Sequence, residues 1–230
     1  MCGRYVSLDE AAIEREFKLV HTEWQFPASF NVAPSQSVPV IRSVGGVRQA
    51  SLMRWGLVPF FAKGVPGKFR THIARGETVD TKFSFCEPWR RGQRCIVPAA
   101  AFYEWQVQPD GRSKQPFHIR SADQDVFGFA AIWASSNRDD GAIIESFAII
   151  TVPANSLMAT IHNGTDESRM PVILRRAEYD RWLTGTVEEA HALLKQYPAD
   201  AMLAWPVSTR VNAPKNNDVT LIEPIHVGAS

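Results

Sequence analysis

The run "RCIVPAAAFYEWQV" (94–107) decides the fold. β-Branched and aromatic side chains dominate it, which marks a strand. Its second half alternates, so Phe102, Glu104 and Gln106 take one face and Tyr103 and Trp105 the other. Outward from it lie further runs of the same kind: "SVPVIRS" (37–43), "VRQASLMRWGLVP" (47–59), "QPFHIRS" (115–121), "VFGFAAIWAS" (126–135), "SFAIITVPA" (146–154) and "MPVILR" (170–175). Gly45-Gly46 and "PDGR" (109–112) fit tight hairpin turns between such runs.

Helical patterns flank this β-rich middle. In "SLDEAAIEREFKLV" (7–20), Ser7 and Glu10 form a capping box, and Ile13, Phe17 and Val20 share a face. Two more helices are expected over "RRAEYDRWLTG" (175–185) and "TVEEAHALLKQY" (186–197), the second burying Ala190, Leu193, Leu194 and Tyr197. A last strand and loop, "LAWPVSTRVNAPKNN" (203–217), follow. The expected fold class is α+β: a predominantly antiparallel β pseudo-barrel with flanking helices, in a single domain spanning 1–230.

Composition narrows the partners. A chain of 230 residues, 45% hydrophobic and 21% charged, with a formal net charge of +1, has no global basic field, so any nucleic acid must bind a local patch. No stretch approaches the roughly 20 apolar residues of a membrane span, and the start lacks a signal-peptide core. A cytoplasmic location is expected. Cys2, Cys86 and Cys95 lack CxxC spacing, and the six histidines form no HxxxH or HExxH cluster, so neither disulfides nor a metal is expected.

Several segments place reactive or rigid residues where a plain strand has no use for them: "MCGRY" (1–5), "FNVAPSQSVPVI" (30–41), "RWGLVPFF" (54–61), "HIARGETV" (72–79), "PAAAFYEW" (98–105), "IHNGTDESRMPVIL" (161–174) and "VSTRVNAPKNN" (207–217). In this order, over most of the chain, they resemble the SOS response-associated peptidase family, the abasic-site processing proteins. The resemblance implies a groove for single-stranded DNA containing abasic sites, no cofactor, a monomer, and a cytoplasmic protein that joins the nucleoid during DNA damage. It also implies that Cys2, once Met1 is removed, links covalently to the abasic sugar.

The residue chemistry supports that link. An N-terminal cysteine carries an amine and a thiol two carbons apart; the amine condenses with an aldehyde to an imine, and the thiol closes a thiazolidine. An α-amine with a pKa of about 7.7 to 8.0 keeps an appreciable neutral fraction near neutral pH. The resemblance assigns proton transfer to Glu104 and an assisting role to His162. It assigns phosphate contacts to Arg75 and Arg169, and a wedge between bases to Phe60 or Phe61. Arg4, Asn31, Thr151 and the "TRVNAPKNN" loop (209–217) offer further donors for phosphate or sugar. Such contacts position a strand without reading its sequence.

The chain departs from the family pattern twice. Ile73 stands where the family's NARxET motif has asparagine, and strand alternation would turn the neighbouring His72 to the opposite face. "NGTDES" (163–168) is inserted between His162 and Arg169, adding Asp166 and Glu167 beside the expected groove. Two other readings stand beside covalent trapping: a module that coats single strands without crosslinking, and an N-terminal cysteine peptidase or amidohydrolase using its own amine as base.

Overall fold

The computed structural model describes residues 3–19, 25–67 and 71–226. In chain order its strands are β1 (Arg4–Ser7), β2 (Ser29–Val32), β3 (Ser37–Val44), β4 (Val47–Trp55), β5 (Ile73–Arg75), β6 (Arg94–Ala99), β7 (Ala101–Val107), β8 (Lys114–Ser121), β9 (Phe127–Asn137), β10 (Ile143–Pro153), β11 (Arg169–Pro171), β12 (Ile173–Leu174) and β13 (Met202–Pro206). The helices are α1 (Glu10–Phe17), α2 (Cys86–Arg90), α3 (Ser156–Ile161), α4 (Tyr179–Thr184) and α5 (Val187–His191). Among the described residues no helix is long and apolar enough to cross a membrane.

The run 94–107 is two strands, in two different sheets. β6 belongs to a ring in which β10, β4, β3, β6 and β9 pair in succession and β9 pairs back to β10. β7 belongs to a second, antiparallel sheet ordered β13-β8-β7-β1-β2. Ala100 makes the crossing, donating its N–H to the Val6 carbonyl at 2.9 Å. The alanines on either side, Ala99 and Ala101, are buried, and their lack of bulk lets two sheets meet at one residue. The fold is therefore α+β, a predominantly antiparallel pseudo-barrel with flanking helices. Only two strand pairings, β10 with β4 and with β5, are parallel among the described residues.

Each face of the second sheet has its own core. Tyr5 and Phe102 face the ring, where Tyr5 meets Trp55 and Phe129 edge-on at 5.3 and 6.0 Å between centroids. On the opposite face Tyr103 packs with Val207, Val211 and Leu221, and His118 stacks on Trp205 at 4.5 Å. β7 is thus buried on both sides over its first half.

Local chemistry explains the element ends. Ser7 closes β1 instead of capping a helix; Asp9 is the cap, accepting the Ala12 N–H at 2.9 Å. Ile13 and Phe17 form the buried face of α1 as expected, while Val20 lies outside the described residues. Gly45 and Gly46 turn the β3–β4 hairpin with φ of +60° and +82°, a backbone that L-residues with a Cβ rarely adopt. α5 ends at His191, two residues before the buried Leu193.

Gly128 in β9 meets a different demand, a close approach of neighbouring side chains. A Cβ there would lie 2.2 Å from Ile96 Cγ2 and 3.2 Å from Tyr179 Cε1. Gly128→Ala is accordingly expected to destabilise the fold by about 1–3 kcal/mol through overpacking. Urea unfolding measures this; an unchanged midpoint would mean that Ile96 yields without strain.

Candidate nucleic-acid interface and active site

The β7–β8 hairpin builds one wall of a cleft of about 770 Å³. Its lining includes Ile73, Glu104, Trp105, Lys114, His162 and Asn212. The hairpin register pairs Glu104 with Phe117 and Val107 with Lys114, so carboxylate and ammonium come from opposite strands. β1 starts beside them: Arg4, two residues beyond Cys2 in sequence, pairs with Tyr103, the neighbour of Glu104. Cys2 itself lies outside the described residues.

His162 is held by bonds on every side of its backbone. It caps α3 by donating its N–H to Met158 at 2.7 Å, while the Asn155 side chain caps the other end of that short helix. Gln106 bonds the Thr160 carbonyl, and Asn163 exchanges two hydrogen bonds with the Val107 backbone, so β7 grips the chain before and after His162. The six-residue excursion then returns to its origin. Ser168 Oγ donates to the His162 carbonyl at 2.6 Å, and the Arg169 N–H donates to His162 Nδ1 at 3.1 Å. The insertion therefore leaves His162 on the cleft wall.

These contacts define the electrostatics. A backbone N–H can only donate, so Nδ1 of the neutral imidazole is the acceptor and Nε2 carries the proton. Burial, together with the positive charges of Arg169 and Lys114, brings the His162 pKa down to about 4. His162 is thus a neutral hydrogen-bond donor at pH 7. Glu104 is only 2% exposed, and burial raises its pKa although the Trp105 N–H at 3.2 Å and Lys114 oppose the shift. A buried carboxyl with a raised pKa, next to the cleft, is suited to giving and taking protons.

The other expected contacts divide into two groups. Arg75 borders the cleft and its side chain is half exposed. Arg4 is half-buried and reaches the carbonyls of Gly3 and Asn212. Asn31 and Thr151, by contrast, spend their donors inside the protein, and Arg169 spends Nε and Nη2 there. The Asn31 amide donates to the carbonyls of Val211, Ala213 and Asn216, fastening the loop that carries Asn212 to the cleft. Arg169 is buried, bonded to Thr151 and to Glu77 at 2.7 Å, and Thr151 Oγ1 donates to Ala74 O. Asn31 and Thr151 are thereby held as braces of the cleft walls, whereas Arg169 bonds through Nε and Nη2 only and borders a hollow beside His162.

Phe60 and Phe61 do not line the cleft. They are 57% and 42% exposed and join Phe83, 72% exposed, whose ring lies 4.4 Å from that of Phe61. Phe83 follows Lys82, which does line the cleft, so the aromatic patch adjoins it along the chain. His72 also faces the cleft together with Ile73: it sits in a bend before β5, where strand alternation does not apply.

Lys82, Lys114 and Trp105 are cleft residues to which motif reading assigns no role, whereas Asn212 belongs to the loop at 209–217 that is expected to supply donors. Lys114 was legible from the hairpin alone, since a turn at 109–112 sets 107 opposite 114. The contact between Trp105 Nε1 and Asn212 Oδ1, at 2.7 Å, joins distant segments and has no local signal.

Comparison with known proteins agrees over most of the chain. The profile described as SOS response associated peptidase (SRAP) matches residues 1–214. "Abasic site processing protein YoqW" of Bacillus subtilis is 37% identical over 229 residues, covering 97% of this chain and 99% of the relative. "Abasic site processing protein HMCES" of Gallus gallus is 31% identical over 272 residues, covering 99% and 79%. A crystal structure of a protein from Bacteroides thetaiotaomicron superposes with a TM-score of 0.87 at 27% identity, covering 98% of this chain and all of that one.

The tautomer and pKa of His162 are measurable. In NMR titrations its ring should show Nε2–H and a midpoint near 4, so its contribution to stability is complete above about pH 6.5 and is lost as the pH falls toward 4. A midpoint near 6.5 would contradict the burial and charge that surround it.

Proposed function

The chain belongs to the SOS response associated peptidase family, and from that premise we propose that it processes abasic sites in single-stranded DNA by covalent capture through Cys2. One observation carries the reading: the buried Glu104 and the neutral His162 border the same cleft, beside Lys82 and Lys114, and the strand that follows Cys2 begins opposite Tyr103.

In this reading Lys82, Lys114 and Arg75 attract the phosphates that flank the lesion, and Phe60, Phe61 and Phe83 offer stacking surfaces for its neighbouring bases. Arg4 adds a half-buried charge next to the terminus. Asn31, Thr151 and Arg169 act by holding the walls of the cleft.

The reaction needs proton traffic and little else. After removal of Met1, the Cys2 amine adds to the aldehyde carbon of the ring-opened sugar, forming a carbinolamine. Glu104 in its acid form protonates the departing hydroxyl, water leaves, and a protonated imine results beside the Glu104 carboxylate. The Cys2 sulfur then bonds to the iminium carbon as the thiol proton passes to that carboxylate, which restores the acid and leaves the ring nitrogen neutral. The product is a five-membered thiazolidine, and one water is released. His162 donates its Nε2–H to a sugar oxygen throughout and is not itself deprotonated.

Denaturing gels of the protein with an abasic single-stranded oligonucleotide test this reading. A covalent band is expected with the natural sequence, none that is stable with Cys2→Ser, and a band slowed at least tenfold with Glu104→Gln. A stable adduct of full strength from Cys2→Ser would refute the chemistry.

Ile73 gives a second test. It is 8% exposed, borders the cleft and has no hydrogen-bonding group, where the family pattern has an amide. A missing hydrogen bond to the reacting sugar costs about 1–3 kcal/mol. Crosslinking by Ile73→Asn should therefore be roughly 10 to 100 times faster than by the natural sequence. Equal time courses would mean that the side chain at 73 does not meet the sugar.

A further inference from the structure

We infer that Glu167, in the inserted loop, is a resident competitor for DNA phosphate at Arg75, so that a strand enters this cleft by exchanging one ion pair for another. The inference rests on the DNA-binding reading above and adds to it a residue that sets affinity.

Glu167 Oε2 lies 2.7 Å from Arg75 Nη1, with the two side chains 63% and 50% exposed. Both border a hollow of about 390 Å³ that shares Arg75, His162 and Thr165 with the main cleft. The hollow has one other cation, Arg169, which is buried against Glu77 and Thr151. Arg75 is thus the more exposed of the two cations there, and a carboxylate already occupies it.

The loop is built to keep that carboxylate in place. Asn163 is tied to Val107 at its start, Ser168 is tied to His162 at its end, and Thr165 Oγ1 bonds the Glu167 carbonyl at 2.9 Å. Gly164 fits closely over Val107, where a Cβ would lie 2.6 Å from Cγ2. An exposed ion pair of this kind is weak, so phosphate can displace it. The displaced carboxylate, with Asp166 beside it, then faces the strand. Binding is weakened, and its salt dependence is shallower than the count of cations implies, because freeing Glu167 requires it to recruit a cation from solution.

Binding of an undamaged single-stranded oligonucleotide, measured by fluorescence anisotropy across a range of salt, isolates this step from crosslinking. Glu167→Gln should bind about threefold to tenfold tighter, and its log–log salt slope should be steeper by about 0.7, the share of one phosphate contact on a single strand. Arg75→Ala should weaken binding, and more so in the Glu167→Gln background than in the natural protein, so that it removes most of the gain. Asp166→Asn, which removes a charge but not the pair, should give the smaller effect. The competitor role is overturned if Glu167→Gln binds no tighter while Lys114→Ala still weakens binding, a result that leaves the DNA cleft standing. It is likewise overturned if Asp166→Asn matches Glu167→Gln, or if the effects of Arg75→Ala and Glu167→Gln simply add. Absence of single-strand binding by every protein overturns both this role and the reading on which it rests.

Discussion

A single hydrogen bond, from the Ala100 N–H to the Val6 carbonyl, sits where the two sheets of this protein are sewn together. On one side of Ala100 the chain is β6, a member of the closed ring; on the other it is β7, the middle of the second sheet. Everything in the cleft is measured from β7. Its register with β1 sets where the N-terminal strand starts, its register with β8 delivers Lys114, and its Gln106 and Val107 grip the segment around His162. A slip of one residue in β7 would turn Glu104 toward the Tyr103 core and empty the cleft wall of its carboxyl.

Rigidity and electrostatics come from the same contacts. Burying Glu104 and His162 disfavours their charged forms, in opposite directions on the pKa scale: the acid is raised and the base is lowered. The outcome is a carboxyl of raised proton affinity and a neutral imidazole on one cleft wall. In the reading proposed above, these two groups serve the proton transfers of imine chemistry.

Much of this was legible in the sequence. The β-rich middle, the hairpin turns, the buried face of α1 and the alternation that separates Phe102 and Glu104 from Tyr103 and Trp105 all follow from local patterns. The crossing at Ala100 was not, because a run of alanines reads as continuous strand, and only packing against Val6 reveals the change of sheet. Asn31 and Arg169 look like surface donors in sequence since their acceptors lie 180 and 18 residues away. His72 escapes the alternation rule for a simpler reason: it lies in a bend one residue before β5 begins. The inserted "NGTDES" could be seen as an insertion, but that it leaves and returns through the carbonyl and Nδ1 of one histidine is a tertiary fact.

The central claim is that residue 2 becomes the point of attachment to an abasic sugar, and intact mass followed by peptide mapping addresses it most directly. After incubation with an abasic single-stranded oligonucleotide and nuclease digestion, the account predicts one modified peptide, the N-terminal one. Met1 should be absent, and the mass should equal peptide plus sugar-phosphate remnant less one water, without any reductant. Attachment at a lysine that survives only after reduction of an imine, or an N-terminal peptide that stays unmodified, would contradict it.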